Sequence, residues 1–130
     1  MSEIRATTIS DAAGTGPITL TGQSAAKVWA KYGMDDNTIN DSLNLSSLTD
    51  NGTGDFTHTW TNAFNNINYS HLANGSIGSG GSSINKMDFY IPSATQVRLL
   101  AAYHNGSAEN GSGTAYDYEL LSLLCHGDLA

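Results

Sequence analysis

Basic residues are scarce in this sequence. Five of its 130 residues carry positive charge: Arg5, Lys27, Lys31, Lys86 and Arg98, with only Lys27 and Lys31 close together. Holding a phosphate backbone takes several clustered cations, so no nucleic-acid partner is expected and an anionic membrane surface is disfavoured. Cysteine is scarcer still, since Cys125 stands alone and excludes an intrachain disulfide framework. No run approaches the roughly 18 apolar residues of a membrane span. Met1-Ser2-Glu3-Ile4-Arg5 also lacks the charged and apolar regions of a signal peptide. The expectation is a chain that does not insert into membranes and matures in the cytoplasm of the cell that makes it. Charge of either sign is thin, at 13%, and a hydrophobic fraction of 39% argues against disorder, which pairs low hydrophobicity with high charge.

What remains is acidic, with a formal net charge of −7, and rich in Gly, Ser, Thr and Asn. The length suits one domain with one core, hiding about two thirds of the extended surface. Short alternating runs fill it. Val28, Ala30 and Tyr32 alternate with Lys27, Trp29 and Lys31. Leu43 and Leu45 alternate, and Leu48 falls out of step as a bulge at Ser46-Ser47 would require. Phe56, His58 and Trp60 share one face, and Asn51-Gly52 with Gly54 predicts a hairpin before them. Met87, Phe89 and Ile91 alternate until Pro92 ends the strand, and Val97, Leu99, Ala101 and Tyr103 follow. Residues 74–83 and 105–114 read as polar Gly-rich loops.

From Ala115 the pattern passes from alternation at Tyr116, Tyr118 and Leu120 to continuous apolarity at Leu120, Leu121, Leu123 and Leu124. Such a run suits a strand covered on both faces, and a short helix over 118–124 is the alternative. About seven strands at this spacing predict an all-β fold, an antiparallel β-sandwich of jelly-roll-like type over residues 23–130. Residues 1–22 differ, being small and polar with Ile4, Ile9, Ile18 and Leu20 as isolated apolar anchors. They read as an extended N-terminal arm that docks on a neighbour. Those four residues, together with Leu121 and Leu123 of the doubly apolar run, are the expected assembly contacts.

Catalytic, metal and cofactor chemistry finds little support. His58 shares its face with Phe56 and Trp60 and reads as packed, while His71 and His104 sit near strand ends. Cys125 and His126 are adjacent and point to opposite strand faces, so they cannot share a zinc ion without a kink. Gly22-Gln23-Ser24-Ala25-Ala26 lacks the last glycine of a nucleophile elbow, and the 75–81 loop lacks the Lys-Ser/Thr and helix of a phosphate cradle. Asp35, Asp36, Asp50 and Asp55 could ligate calcium, but turn chemistry explains them without a calcium-loop pattern. Tyr116, Asp117, Tyr118 and Glu119 beside Trp29 and Trp60 could form a glycan platform, with strand packing the preferred reading. A hydrolase would need paired carboxylates, with Asp88, Asp117 and Glu119 the first to test. No catalytic, metal or cofactor residues are assigned, and no enzyme is expected.

The stretch Thr8-Ile9-Ser10-Asp11 through Gly16-Pro17-Ile18-Thr19-Leu20-Thr21-Gly22-Gln23-Ser24-Ala25-Ala26-Lys27, with Trp29 after it, resembles a segment of structural and tail-fibre-like proteins of marine tailed bacteriophages. So do Ser46 through Thr57, Thr61-Asn62-Ala63-Phe64 with Asn68-Tyr69, and the ending His126-Gly127-Asp128-Leu129-Ala130. The chain departs from that family at Tyr32-Gly33-Met34-Asp35-Asp36-Asn37, where members often carry a Gly-Thr turn. The resemblance implies a virion component, a fibre, decoration or tail-associated subunit, homotrimeric and bound to other phage virion proteins. It implies assembly in the host cytoplasm and residence in the virion. The alternative within this class is a receptor- or glycan-binding tip for host attachment. Its contacts would be Ser76, Ile77, Ser79, Asn105, Ser107 and Asn110, because polar loops on a rigid scaffold adapt to a ligand.

If these strand assignments hold, Trp60→Ala should cost about 3–5 kcal/mol as a core truncation. Gly52→Val should also weaken the hairpin, since a β-branched residue is strained at positive φ. Thermal melting of both variants checks this, and unchanged midpoints would contradict the assignments.

Overall fold

Nine strands realise the alternating pattern in the computed structural model, which describes residues 26–76, 84–90, 92–104 and 113–129. They are β1 (Val28–Tyr32), β2 (Ile39–Leu43), β3 (Leu45–Gly52), β4 (Asp55–Trp60), β5 (Ser70–Ser76), β6 (Ile84–Tyr90), β7 (Gln96–His104), β8 (Thr114–Ala115) and β9 (Leu120–His126). The first sheet, A, runs β2-β1-β9-β5, and the second, B, runs β3-β4-β7-β6 with β8 also on β7. All pairings are antiparallel. The chain is thus all-β, an antiparallel sandwich, with the first and last described strands side by side in sheet A in a jelly-roll-like manner. The expected arm at 1–22 lies outside the described residues.

Period-two burial builds the core. Val28, Ala30 and Tyr32 of β1 and Leu121, Leu123 and Cys125 of β9 face Phe56, His58 and Trp60 of β4 and Val97, Leu99 and Ala101 of β7. Each fully buried large apolar side chain contributes about 1.5–3 kcal/mol. The C-terminal run is strand and the helical alternative at 118–124 is wrong, because each residue from Leu120 to His126 pairs with β5. Leu121 and Leu123 are correspondingly 0% and 2% exposed within the chain's own core, so they are not surface contacts for a partner.

Local irregularities follow the sequence closely in one place and depart from it in another. The register of β3 shifts between Leu45 and Ser47, the bulge expected from the misplaced Leu48. The β3–β4 reversal falls one step later than Asn51-Gly52: the turn occupies Thr53 and Gly54, and the positive φ angles are those of Gly52 (127°) and Gly54 (70°). Asn44 alone links β2 to β3 and so carries the chain from one sheet to the other. It does so at φ 60°, a left-handed conformation that asparagine tolerates. Its side-chain oxygen accepts the Asn62 amide N–H at 2.7 Å, while its Nδ2 donates to the Asn62 carbonyl at 3.0 Å.

Strand β5 was not expected, and Leu43, read as alternating with Leu45 in one run, instead ends β2 in sheet A while Leu45 begins β3 in sheet B. Asn74, Gly75 and Ser76, read as loop, complete β5, and Gly75 is where the Tyr118 ring passes over the strand. A Cβ there would lie 2.5 Å from the Tyr118 Cγ, so any side chain would displace the ring. Tyr118 in turn donates its hydroxyl hydrogen to the Ala102 carbonyl at 2.6 Å.

Gly54 is the more demanding glycine of the hairpin. A Cβ on it would meet the Ala101 carbonyl oxygen at 2.2 Å, whereas one on Gly52 would meet nothing within 4 Å. Gly54→Val should therefore cost about 3–5 kcal/mol from combined backbone strain and overpacking, against about 1–3 kcal/mol for Gly52→Val. Urea unfolding of the two variants should rank them in that order, and equal midpoints would contradict the packing of Gly54 on β7.

Candidate functional site

The strand directions give the sandwich two unlike ends. Val28 pairs with Cys125 and Ser70 with His126, so the N-terminal entry to β1 and the C-terminal exit from β9 share one end, the base. Phe64 and Leu129 form a bridge there, and the Asn65 amide donates to the Asp128 carbonyl at 2.8 Å. Tyr69 stacks on Phe64 with centroids 4.2 Å apart and donates its hydroxyl hydrogen to the Ser93 carbonyl at 2.8 Å. These contacts fasten the chain's exit to both sheets.

At the opposite end, the tip, Ser76 pairs with Leu120, and Ile84 pairs with His104. The strands flanking the predicted receptor loops 74–83 and 105–114 therefore converge at the tip, with residues 74–76 found to belong to β5 and Thr114 to β8. Ser76 is exposed at the end of β5. Ile77, Ser79, Asn105, Ser107 and Asn110 lie outside the described residues, as do Ile4, Ile9, Ile18 and Leu20. At this end the connectors lock together: the Gly54 amide donates to Asp117 Oδ1 at 2.7 Å and the Met34 amide to the Tyr118 carbonyl at 2.9 Å.

The outer faces of the two sheets differ in chemistry. On sheet A the register aligns Leu43 with Trp29, Trp29 with Leu124, and Leu124 with Leu72, one apolar side chain from each of four strands. Leu43 and Leu72 are 46% and 67% exposed, and Trp29 and Leu124 are half-buried. A groove of about 330 Å³ runs over this row between Trp29 and Leu72. In the adjacent row Lys31 stands opposite Asp41 on β2 and Ser122 on β9. On sheet B the outer face is polar: Arg98 Nε donates to Asp55 Oδ1 at 2.7 Å, its Nη2 pairs with Oδ2, and its guanidinium lies 5.5 Å from the Tyr90 ring centre. The hydrogen bond from Arg98 holds the Asp55 carboxyl below its ordinary value, against a smaller opposing effect of burial.

The expected chemistry of single residues resolves as follows. Trp60 and Tyr118 are buried, and Asp117 is turned onto Gly54, so the aromatic-carboxylate platform around residues 116–119 does not assemble. Asp36 accepts from the Thr38 amide at 2.9 Å and Asp50 from the Gly52 amide at 2.8 Å, the bonds of turns, and Asp50 also accepts from Asn37 Nδ2 at 3.1 Å. Among the described residues no three His, Cys, Asp or Glu side chains converge as a metal site. Cys125 is buried, and burial pushes its thiol up to about 12, which makes it a poor nucleophile. His58, 0% exposed, meets the Tyr32 hydroxyl through Nε2 at 2.8 Å across the two sheets. No helix among the described residues is long and apolar enough to cross a membrane.

Comparison with protein-family models, with curated proteins and with solved structures finds no match to this chain. The site is therefore read from its own geometry. The row on sheet A was missed in the sequence because Leu43 and Leu72 lie on strands too polar to be recognised, and only their register brings them to Trp29 and Leu124.

Burial, the dominant cause, pushes the His58 imidazole down to about 4 from 6.5. The folded chain thus keeps it neutral at pH values where the unfolded chain takes up a proton. Its contribution is full above pH ~6.5 and is lost as pH falls from there toward 4, by about 3 kcal/mol in all. Melting temperature should fall across that window, and His58→Gln, which does not titrate, should flatten the slope. An equal slope in both proteins would remove His58 as its source.

Proposed function

We propose that this chain is a virion structural subunit of a tailed bacteriophage, a fibre, decoration or tail-associated component, and not an enzyme. The observation that carries the assembly part is the apolar row Leu43–Trp29–Leu124–Leu72 across the outer face of sheet A. Contiguous apolar surface open to water is the mark of a protein contact. The partner proposed for this face is a second copy of the chain. Lys31 and Asp41 lie beside the apolar row, and a surface holding both signs can meet a copy of itself without stranding a charge. The phage assignment and the preference for a trimer rest on the resemblance of residues 8–27 with Trp29, 46–57, 61–64 with 68–69, and 126–130 to marine phage structural proteins. In this reading the N-terminal arm enters at the base and binds another virion protein, and assembly in the host cytoplasm precedes incorporation into the particle.

A second reading, a receptor- or glycan-binding tip, is favoured by one specific observation. The strands flanking both polar loops converge at the end of the sandwich opposite the chain's entry and exit. A module held at its base would present those segments outward, and the host-surface glycan is then the partner.

Analytical ultracentrifugation at micromolar concentration should return an oligomer, expected to be a trimer. The double variant Leu43→Asp/Leu72→Asp should return monomer with an unchanged β-sheet circular dichroism spectrum, since both side chains are exposed. Monomer from the unaltered chain would overturn the self-assembly. Mass spectrometry of purified virions tests the location, and absence from the particle would overturn it.

A further inference from the structure

On the outer face of sheet B, near the tip, a trough of about 350 Å³ lies where β4 ends and β8 begins along the edge of β7. The register explains its shape. Leu100 stands between Asp55 on β4 and Asp88 on β6, and in the next row Ala102 stands between Ala115 on β8 and Lys86 on β6. The floor is therefore Leu100, Ala102 and Ala115, apolar and mostly small. The rims carry a carboxylate on either side and an ammonium group on one, with the Thr53-Gly54 turn alongside. Leu100 is 36% exposed, so the floor is open to water.

We propose that this trough binds a neutral hexopyranose unit of a glycan. A pyranose ring presents a face of C–H groups and a perimeter of hydroxyls, each both donor and acceptor. The C–H face matches the Leu100–Ala102 floor. Asp88 accepts hydroxyl hydrogens and Lys86 donates to hydroxyl oxygens, while Asp55 is preset by its bonds from Arg98 and Asn51. The volume is at the lower end of the ~300–1,000 Å³ usual for small-molecule sites, which suits one or two sugar units. Tyr90 extends the surface. It lies two residues beyond Asp88, so it points to the same side of the strand, and it is 49% exposed. Arg98 lies over its ring, and the rest of that exposed ring offers a stacking surface to a neighbouring sugar.

Other ligand classes fit less well. With Asp55 neutralised by Arg98, the Asp88 carboxylate and a net charge of −7 oppose anionic glycans and nucleotides. Lys86 opposes a cation, and the polar rims leave a purely apolar ligand with unpaired groups around it. The trough deepens the receptor-contact reading and rests on it only for where the sugar comes from. Binding by the purified chain is independent of whether the chain resides in a virion.

The test is saturation-transfer NMR of the purified full chain with gluco-, galacto- and manno-configured neutral disaccharides, followed by titration calorimetry on any that bind. At least one should bind, with the C–H face of one ring receiving most saturation. Asp88→Ala and Leu100→Arg, both on the outer face, should each weaken that binding by about tenfold or more, with the melting temperature retained. No binding by any of the disaccharides would overturn the proposal. So would binding indifferent to both variants, or a stronger response to sialylated or sulfated sugars. None of these outcomes bears on self-assembly through sheet A, which ultracentrifugation reads separately.

Discussion

Sheet A cannot exist without its last strand. β1 and β5 do not pair with each other, and both are joined by lying on either side of β9, through Val28–Cys125 on one edge and Ser70–His126 on the other. The pairing with β1 spans almost the whole described chain, so its loop-closure entropy must be met before any contact offsets it. β9 also fixes what each face of the sheet does. Leu121, Leu123 and Cys125 point inward and meet β4 and β7 across the core, while Leu124 points outward and joins Trp29 to Leu72. A one-residue slip of β9 would exchange these roles, placing Ser122 and His126 in the core and exposing three apolar side chains. The apolar character of Leu120, Leu121, Leu123 and Leu124 is thus two separate requirements written onto alternate positions.

The core itself contains a polar tie between the sheets. The Tyr32 hydroxyl and His58 Nε2 meet where both rings are surrounded by Phe56 and Trp60. Burial favours the neutral form of each group and raises the Tyr32 phenol well above its ordinary value. A hydrogen bond between two neutral groups at this depth orients β1 against β4 more specifically than apolar packing alone, because either partner left unpaired would bear its full desolvation cost. That orientation sets which residues appear on the two outer faces.

How much of this was legible depends on how strongly each strand's own side chains declare it. β4 and β7 alternate large apolar with polar residues, and Phe56, His58, Trp60, Val97, Leu99 and Ala101 all face the core as read. The bulge near Ser46 was legible because Leu48 had to regain the buried face. β2 was not, because Ile-Asn-Asp-Ser-Leu offers an edge strand almost nothing to bury. β5 was hidden by Ala73 and Gly75, and the small size of Gly75 is imposed by the Tyr118 ring that packs on it. Residues 116–119 misled in the other direction: the alternation Tyr116, Tyr118 looks like strand, yet the segment crosses between sheets and spends Tyr118 as a core plug. The apolar row on sheet A and the trough on sheet B were both invisible for one reason. Each draws its residues from four strands, and only pairing register places them together.

The two ends and two faces of the sandwich constrain each other. The start of β1 and the end of β9 lie together at the base, and the ends of β5 and β7 lie at the tip. Because the apolar row lies on sheet A, the proposed self-association would cover that sheet and leave the polar face of sheet B, with Asp55, Arg98, Tyr90 and Asp88, in water. Burying that face instead would mean dehydrating the Arg98–Asp55 pair and the rim charges beside it, a cost that apolar contact at Leu100 alone could not offset. The proposed self-assembly through one sheet and the proposed ligand contact through the other would therefore not compete for surface. In that arrangement each added copy would also multiply the sugar-facing surface, and weak single sites presented together gain avidity without any new contact.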